Sequence, residues 1–285
     1  MKEEIRHPGS LQERPSGATP WRQRDGVVKF VEFPVRRDGL SHRDFHLYWQ
    51  RHHSPMVMHA AGFSRHIRKY VSAHGHELPV SGLPARFRQG TGFDGASELW
   101  INDLEEVPVW LSHPLYQELI QPDEIRFLDQ SGKGRVMLSA EQRVLDGDPD
   151  LHETGLVRLY VLLAMGQGAR EDFNAAVSML GSRLLAAGDR YLAGIAINHR
   201  LEDPLPLELP APGFDAVVTL TTPTVQALVS MLNLPAVERI WNDAPVPTPD
   251  ELPALVTTLC VVHDESSFQP TTTCPNAFSW SDPDT

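Results

Sequence analysis

Hydrophobic and polar positions recur in a regular order along the first half of the chain. Residues Gly26–Val35 are β-branched and partly alternate, which predicts a strand. Ser41 offers an N-cap, and apolar residues then recur at three- and four-residue steps as far as Gly62, which predicts a helix. The elements predicted after it are the strands Ile67–His76, Gly95–Ile101 and Gly134–Val144, and a helix from Asn102 or Asp103 to about Leu119. The order β-α-β-β-α-β is typical of a ferredoxin-like unit.

The second half repeats this order. Its predicted elements are the strand Gly155–Met165, the helix Arg170–Ala187, the strands Tyr191–Leu201 and Ala216–Leu220, a helical stretch over Pro223–Leu232 and the strand Leu255–Val262. The residues repeat as well, because Gly92-Phe93-Asp94-Gly95 matches Gly213-Phe214-Asp215-Ala216. The pattern therefore predicts two similar units in one chain.

These units predict an α+β fold in which two ferredoxin-like βαββαβ repeats form an intramolecular dimeric α/β barrel. One such unit leaves a face of its sheet uncovered, and two units can bury these faces against each other. The enclosed space is then expected to be an apolar pocket. The predicted divisions are a flexible arm at 1–25, repeats at 26–146 and 155–265, a linker at 147–154 and an irregular tail at 266–285.

Composition narrows the classes of function. The 285 residues carry a formal net charge of -12, which argues against a nucleic-acid-binding protein because such proteins need a basic surface. No apolar run approaches the roughly 18 residues that a membrane helix needs. The two cysteines, Cys260 and Cys274, give no disulfide framework, which fits a reducing cytoplasm.

Histidines are concentrated early in the chain. Eight of the thirteen lie between His42 and His76, around the segment Phe45–Pro55. Histidine changes its charge near neutral pH, so the cluster is a candidate proton-handling or metal site.

The first half resembles the EthD domain family, a branch of the dimeric α/β-barrel superfamily. The matching residues are Phe45, Tyr48-Trp49, His53-Ser54-Pro55, Gly92-Phe93-Asp94-Gly95, Glu98-Leu99-Trp100, Asp123-Glu124 and Phe127. The resemblance covers Val28 to Val144, and the second half looks like a degenerate copy that replaces the partner subunit of a homodimer. Related barrels include polyketide cyclases, isomerases, cofactor-free monooxygenases and haem enzymes, so the resemblance does not select a reaction.

Three residues are predicted to carry chemistry. His53 occupies the position of the family's most characteristic histidine and is the expected acid or base. Asp94 is expected to orient His53 or to act as a separate acid, and the alternative is a turn residue that starts a strand. Tyr48 is expected to donate a hydrogen bond to a substrate oxygen. The structural alternative for His53 is a hydrogen bond near the end of its helix.

Four further residues are predicted to contact substrate: Trp49, His52, Phe93 and Trp100. Packing between helix and sheet is the alternative for Trp49. No protein-bound metal is expected, because no recognised ligand spacing completes the histidine pairs such as His42 with His46. No cofactor is expected either, since nucleotide-binding motifs are absent and the motif singles out no haem ligand.

The sequence thus predicts a cofactor-independent acid–base enzyme, of dehydratase, isomerase or cyclase type, for a hydrophobic cyclic or aromatic small molecule. One alternative is a small-molecule-binding accessory protein without activity, and another is a cofactor-free oxygenase. Both a monomer and a homodimer are compatible with two fused repeats.

Overall fold

The structure is a computed structural model that describes residues 27–145, 153–201, 212–244, 246 and 251–264. The predicted arm at 1–25, the tail at 266–285 and positions 147–152 of the predicted linker lie outside the described residues.

Between residues 27 and 145 the structure contains five strands and five short α-helices. The strands are β1 (Val28–Phe33), β2 (Ile67–Gly75), β3 (Phe87–Arg88), β4 (Gly95–Ile101) and β5 (Arg135–Leu145). The helices are α1 (His42–Tyr48), α2 (Ser54–His59), α3 (Ala61–Ser64), α4 (Glu106–Leu111) and α5 (Gln121–Phe127). Two π-helical turns, Trp49–His53 and Tyr116–Ile120, precede α2 and α5.

The described residues of the second half contain four strands and three α-helices. The strands are β6 (Val157–Leu163), β7 (Gly194–Arg200), β8 (Ala216–Thr222) and β9 (Leu252–Asp264). The helices are α6 (Arg170–Gly188), α7 (Val225–Leu232) and α8 (Pro235–Asn242), with a 3₁₀ turn at Asp189–Tyr191.

Eight of these strands close into an antiparallel barrel. The order is β2-β4-β1-β5-β7-β8-β6-β9, and β9 pairs with β2 to complete the circle. The halves join at two seams, β5 with β7 and β2 with β9. Within each half the order is the same: second, third, first and fourth strand. The short β3 adds to β9 in parallel outside the circle. The α+β class and the closed barrel are therefore confirmed.

Strand alternation separates the residues inside the barrel from those under the helices. On β1, Val31 and Phe33 pack with residues of six other barrel strands, whereas Phe30 packs under the helices of the first half. In the second half, Val177 and Leu180 of α6 pack over the outer face of the sheet. Burial of each large apolar side chain contributes about 1.5–3 kcal/mol, so both faces of the sheet stabilise the fold.

The barrel interior contains a buried network of charges. Lys29 Nζ lies 3.0 Å from Glu98 and 2.7 Å from Glu141. Arg158 of the second half donates to Glu98 at 2.7 Å, and the Tyr160 hydroxyl donates to the same carboxylate at 2.5 Å. Burial opposes ionisation of Glu98, but the cations of Arg158 and Lys29 outweigh it and hold its pKa at about 2. The space enclosed by the barrel was expected to be an apolar pocket, and the structure instead places these charged side chains there.

Several predicted elements differ at their ends. Ser41 caps α1 as predicted, accepting the Asp44 amide at 3.0 Å. The single helix predicted as far as Gly62 is instead interrupted by the π-helical turn Trp49–His53 and by a break at Ala60. The helix predicted to run to about Leu119 ends at Leu111 instead. A second helical stretch then continues through the π-helical turn Tyr116–Ile120 directly into α5.

Two further findings concern the cysteines and the apolar character of the helices. Cys260 of β9 is disulfide-bonded, which differs from the expectation of no disulfide, and Cys274 lies outside the described residues. Among the helices that the structure describes, none combines the length and the apolar character that crossing a membrane requires.

Replacement of Lys29 by methionine tests the role of the interior charges. The variant leaves Glu98 and Glu141 buried with less compensation, so we expect a loss of about 3–5 kcal/mol in the free energy of unfolding, measured by urea titration. The control Arg88→Met removes an exposed ion pair with Glu251 and should change the stability by about 0.5 kcal/mol or less. Equal stability of the two variants would contradict the account.

Candidate active site

A cavity of about 330 Å³ opens at one end of the barrel. Its wall is formed where β1 and β2 end and where β4 and β9 begin. Apolar side chains, Phe93 and Leu255 among them, share this wall with the polar side chains of Arg36, Asp94 and His76. The volume lies at the lower end of the range for small-molecule sites, about 300–1,000 Å³.

Asp94 holds Arg36 at the cavity wall. One carboxylate oxygen accepts the backbone amide of Arg36 at 2.7 Å, and the other accepts its guanidinium. The backbone of Asp94 is fixed as well, since its amide donates to Pro34 and its carbonyl accepts the amide of Gly75, both at 2.9 Å. A Cβ at Gly75 would lie 2.4 Å from that carbonyl oxygen, so only glycine fits there.

The second half repeats this carboxylate arrangement. Asp215 accepts the backbone amide of Met165 at 2.8 Å and the guanidinium of Arg170 at 2.8 Å. Its own amide donates to Leu163, as that of Asp94 does to Pro34. Each aspartate thus fixes, through its hydrogen bonds, the segment that follows the first strand of its half. This favours the turn role for Asp94. Its carboxylate contacts Arg36, whereas the carboxylate beside His53 is that of Asp123, and a chemical role for Asp94 stays a prediction.

Two imidazoles line the cavity. His76 Nε2 lies 3.1 Å from the Thr258 hydroxyl. Burial lowers the pKa of His76, and its neighbour His42 lowers it further. Burial also lowers the pKa of His42, whereas Glu77, Asp94 and the backbone of Gly75 act in the opposite direction. Both rings are therefore neutral at pH 7, and a neutral imidazole can accept a proton.

His53 and Tyr48 meet at a different place, between α1 and α5. His53 Nδ1 lies 2.9 Å from one oxygen of Asp123, and the Tyr48 hydroxyl donates to the other at 2.5 Å. The ring of Phe127 packs against His53 with centroids 4.8 Å apart. Burial opposes ionisation of Asp123, but the hydrogen bonds from His53 and Tyr48 outweigh it and lower its pKa. Neither His53 nor Tyr48 lines the 330 Å³ cavity.

The residues predicted to contact substrate are dispersed. Phe93 lines the cavity and packs on Phe33. Trp49 donates to the Tyr70 hydroxyl at 3.0 Å, and Trp100 inside the barrel donates to Glu141 at 2.9 Å. His52 is exposed. Of the seven predicted site residues, the structure brings only Asp94 and Phe93 to the cavity.

Sequence reasoning missed Arg36 and His76 as cavity residues. His76 was visible in the pattern His74-Gly75-His76, where alternation places both imidazoles on one side of a strand. Arg36 carries no local signal, because its place depends on contact with Asp94, 58 residues away. Asp123 was among the residues that resemble the EthD family, but its distance along the chain from His53 gave no reason to pair the two.

No group of three or more His, Cys, Asp or Glu side chains within the described ranges is placed to hold a metal ion. The three neighbouring histidines His42, His46 and His74 contact one another directly through ring nitrogens. The expectation that the protein binds no metal stays a prediction.

Comparison with known proteins places part of this geometry in a family. The family model for the EthD domain matches residues 37–131. This matched region is similar to the EthD domain. It contains His76 and Asp94 as well as His53 and Asp123, and it begins directly after Arg36. No curated protein matches the chain significantly in sequence.

Solved structures share the fold over most of the chain. An anthrone oxidase-like protein has 8% sequence identity and a TM-score of 0.54, with 87% of this chain and 98% of that chain covered. A protein described as a "putative monooxygenase" from Lactobacillus acidophilus NCFM has 8% identity and a TM-score of 0.52, with coverage of 85% and 97%. At this identity the likeness concerns the fold alone.

The contacts of Asp123 generate a prediction about stability. Asp123→Asn weakens the hydrogen bonds that its buried carboxylate accepts from His53 and Tyr48, so we expect a loss of about 1–3 kcal/mol in the free energy of unfolding. The control Glu118→Gln changes an exposed carboxylate near α5 and should stay within about 0.5 kcal/mol of the parent protein. Urea titration measures both, and an unchanged stability of Asp123→Asn would show that these contacts do not stabilise the fold.

Proposed function

We propose that the protein is a cofactor-independent acid–base enzyme for a hydrophobic, cyclic or aromatic small molecule, and that the substrate binds in the cavity at the barrel end. The proposal rests on one observation. The cavity wall combines apolar surface with the guanidinium of Arg36, which Asp94 holds in place, and with the neutral imidazole of His76. Dehydration, isomerisation and ring closure can each be catalysed by a base together with a cation that stabilises charge on the substrate oxygen.

Arg36 is the proposed site for a substrate oxygen. An arginine side chain stays protonated in proteins and presents several N–H donors in a fixed plane. Removal of a proton next to a carbonyl or phenol group places negative charge on the oxygen, and a preorganised cation stabilises that charge most where water is excluded. Asp94 holds the guanidinium in place, so little reorganisation is needed during the reaction.

His76 is the proposed acid and base. Nε2 is hydrogen-bonded to the Thr258 hydroxyl, so we propose that Nδ1 is the nitrogen that exchanges a proton with the substrate. In the proposed step, the substrate gives a proton from carbon or oxygen to Nδ1, and the electron pair left behind moves toward the oxygen at Arg36. The same proton then returns to a leaving hydroxyl group or to another carbon, so the enzyme ends unchanged.

The chemical role suggested for His53, with Tyr48, remains a second proposal. Its support is the contact with a carboxylate, since a carboxylate that holds an imidazole in one tautomer recurs in enzymes. Its position away from the cavity favours His76. We also propose that residues 26–146 and 155–265 are ferredoxin-like repeats, which the equal strand order in the two halves supports.

The fold likeness suggests a first compound to test. The name of the anthrone oxidase-like protein points to anthrone, which is cyclic, aromatic and acidic at carbon. Anthrone can therefore serve as a probe for an acid–base enzyme, for a cofactor-free oxygenase and for a binding protein without activity. Oxygen consumption with product formation would indicate the oxygenase, and binding without turnover would indicate the accessory protein.

Replacement of His76 tests the proposal. We expect His76→Gln to lower kcat by about 10²–10⁴-fold on a turned-over aromatic substrate, because the proton acceptor is lost. The control His59→Gln changes an exposed histidine outside the cavity and should keep the parent rate. The base must be unprotonated to act, and burial lowers the pKa of His76. The apparent pKa on the acidic side of the pH profile of kcat/KM should therefore lie below the ordinary histidine value of 6.5.

The comparison with His53→Gln decides between the two histidines. A folded His53→Gln protein that loses turnover, together with a His76→Gln protein that keeps it, would overturn the assignment of the cavity. Circular dichroism and urea titration of each variant show whether it is folded.

A further inference from the structure

A long connection between β2 and β4 crosses from the first half of the chain to the second. It comprises residues 76–94, which we call the strap, and it includes the two-residue strand β3. Its ends meet, since the amide of Gly75, directly before the strap, donates to the carbonyl of Asp94 at 2.9 Å. Loops of this length are uncommon in compact domains and usually serve a function. The strap is therefore a candidate functional element.

The middle of the strap is anchored in the second half. Val80 and Phe87 are buried in the hydrophobic core that the helices and strands of the second half form. The ring of Phe87 meets that of Trp241 on α8 edge to face, with centroids 5.5 Å apart. The Leu252 amide of β9 donates to the Arg86 carbonyl at 2.6 Å. Burial of a phenylalanine side chain and an aromatic contact of this kind both stabilise the docked strap.

Side-chain amides hold the same part of the strap. The Val80 amide donates to the Gln89 side chain at 2.7 Å, and that side chain donates back to the Val80 carbonyl at 3.0 Å. Gln89 thus satisfies both backbone groups of Val80, as a neighbouring strand would. The Asn233 side chain of the second half donates to the Gly82 carbonyl at 2.8 Å. The middle of the strap is therefore a compact unit that is fastened to the second half.

Two stretches of the strap, 76–79 and 89–94, line the cavity on either side of this anchored part. The first stretch contains Leu78, which is 76% exposed. A single exposed leucine on a protein surface needs no explanation. Leu78, however, lines the same cavity as Phe93 and Leu255. A hydrophobic ligand in the cavity would cover its side chain and remove apolar surface from water.

We propose that the strap is a substrate-binding element, in which Leu78 is a specificity-determining residue that contacts an apolar ring and Phe87 is the positioning residue that holds the strap at the cavity. Phe87 does not line the cavity itself, so it acts through the strap. The contact with substrate rests on the function proposed above, whereas the anchoring of the strap in the second half does not.

The ends of the strap are held independently of its middle. The His76 amide donates to the Val256 carbonyl at 3.1 Å, and Asp94 is fixed by its own backbone hydrogen bonds. Loss of the Phe87 anchor therefore frees the middle of the strap, while His76 and Asp94 keep their places. A ligand binds more weakly when the binding-competent form is only partly populated. A loosened strap should thus raise KM and leave kcat nearly unchanged.

Hydrogen exchange of the full-length protein tests the anchor without any ligand. We expect Phe87→Ala to speed exchange of the Val80 amide by about 10-fold or more, and to change exchange of the Val218 amide in β8 much less, because the strap opens locally. Phe87→Leu keeps an apolar side chain in the core and should retain most of the protection. Equal acceleration at Val80 and Val218, or none at Val80, would contradict the anchor.

Titration with anthrone tests the contact made by Leu78. Leu78→Ser should raise the Kd for anthrone by about 10-fold, because the ligand no longer buries a leucine side chain. The control Leu119→Ser changes an exposed leucine outside the cavity and should keep the parent Kd. The same Kd in both variants would overturn the role of Leu78.

The same titration tests the positioning role of Phe87. Phe87→Ala should raise the Kd for anthrone, and KM on a turned-over substrate, by about 10-fold, with kcat within about twofold of the parent value. Phe87→Leu should recover most of the affinity. A lower kcat at unchanged KM would indicate a smaller fraction of folded enzyme and would contradict the positioning role.

These measurements separate the two proposals. A parent protein that does not bind anthrone contradicts the proposed substrate class and with it the role of Leu78, and hydrogen exchange still decides whether the strap is anchored. A parent protein that binds anthrone in the cavity, with the Kd unchanged in Leu78→Ser and in Phe87→Ala, would overturn the strap as a binding element and leave the proposed function intact.

Discussion

Closure of the barrel across two seams is the constraint on which the rest of the structure depends. The pairing of β9 with β2 and of β5 with β7 turns two open sheets into one circle, and the ion pairs of Lys29, Glu98 and Arg158 connect the halves inside it. Buried ions of opposite sign stabilise a structure only when all of them are present, because a single one left unpaired is strongly unfavourable. The buried ion pairs therefore favour one alignment of the strands of the first half with those of the second.

This interior also explains where a ligand can bind. Charged and aromatic side chains occupy the barrel, so the cavity lies at the end where β1 and β2 leave the sheet. There the Asp94 carboxylate and the Gly75 backbone hold the strand ends together, and Arg36 and His76 are carried by these braced segments. Rigid strand ends that present side chains to a hollow are a general way to place reactive groups.

The sequence predicted the fold better than the site. Alternation and helical periodicity are local, and the match of Gly92–Gly95 with Gly213–Ala216 indicated two similar units, so the sequence predicted the α+β barrel. The partners of the site residues are not local. Asp123 lies 70 residues from His53, and no spacing rule joins them. The charges inside the barrel were missed because Lys29 and Glu98 alternate with apolar residues and appear as ordinary polar positions.

Detection of a ligand at the barrel end is the most direct measurement of the central claim. In a titration with anthrone followed by nuclear magnetic resonance, the account predicts shifts at the Arg36 side chain, the His76 imidazole and Phe93. The shifts at His76 and Phe93 should vanish in Arg36→Gln and persist in Arg37→Gln, whose exposed arginine lies outside the cavity wall. Shifts confined to His53, Tyr48 and Asp123 would contradict the account, because they would place the ligand between the helices.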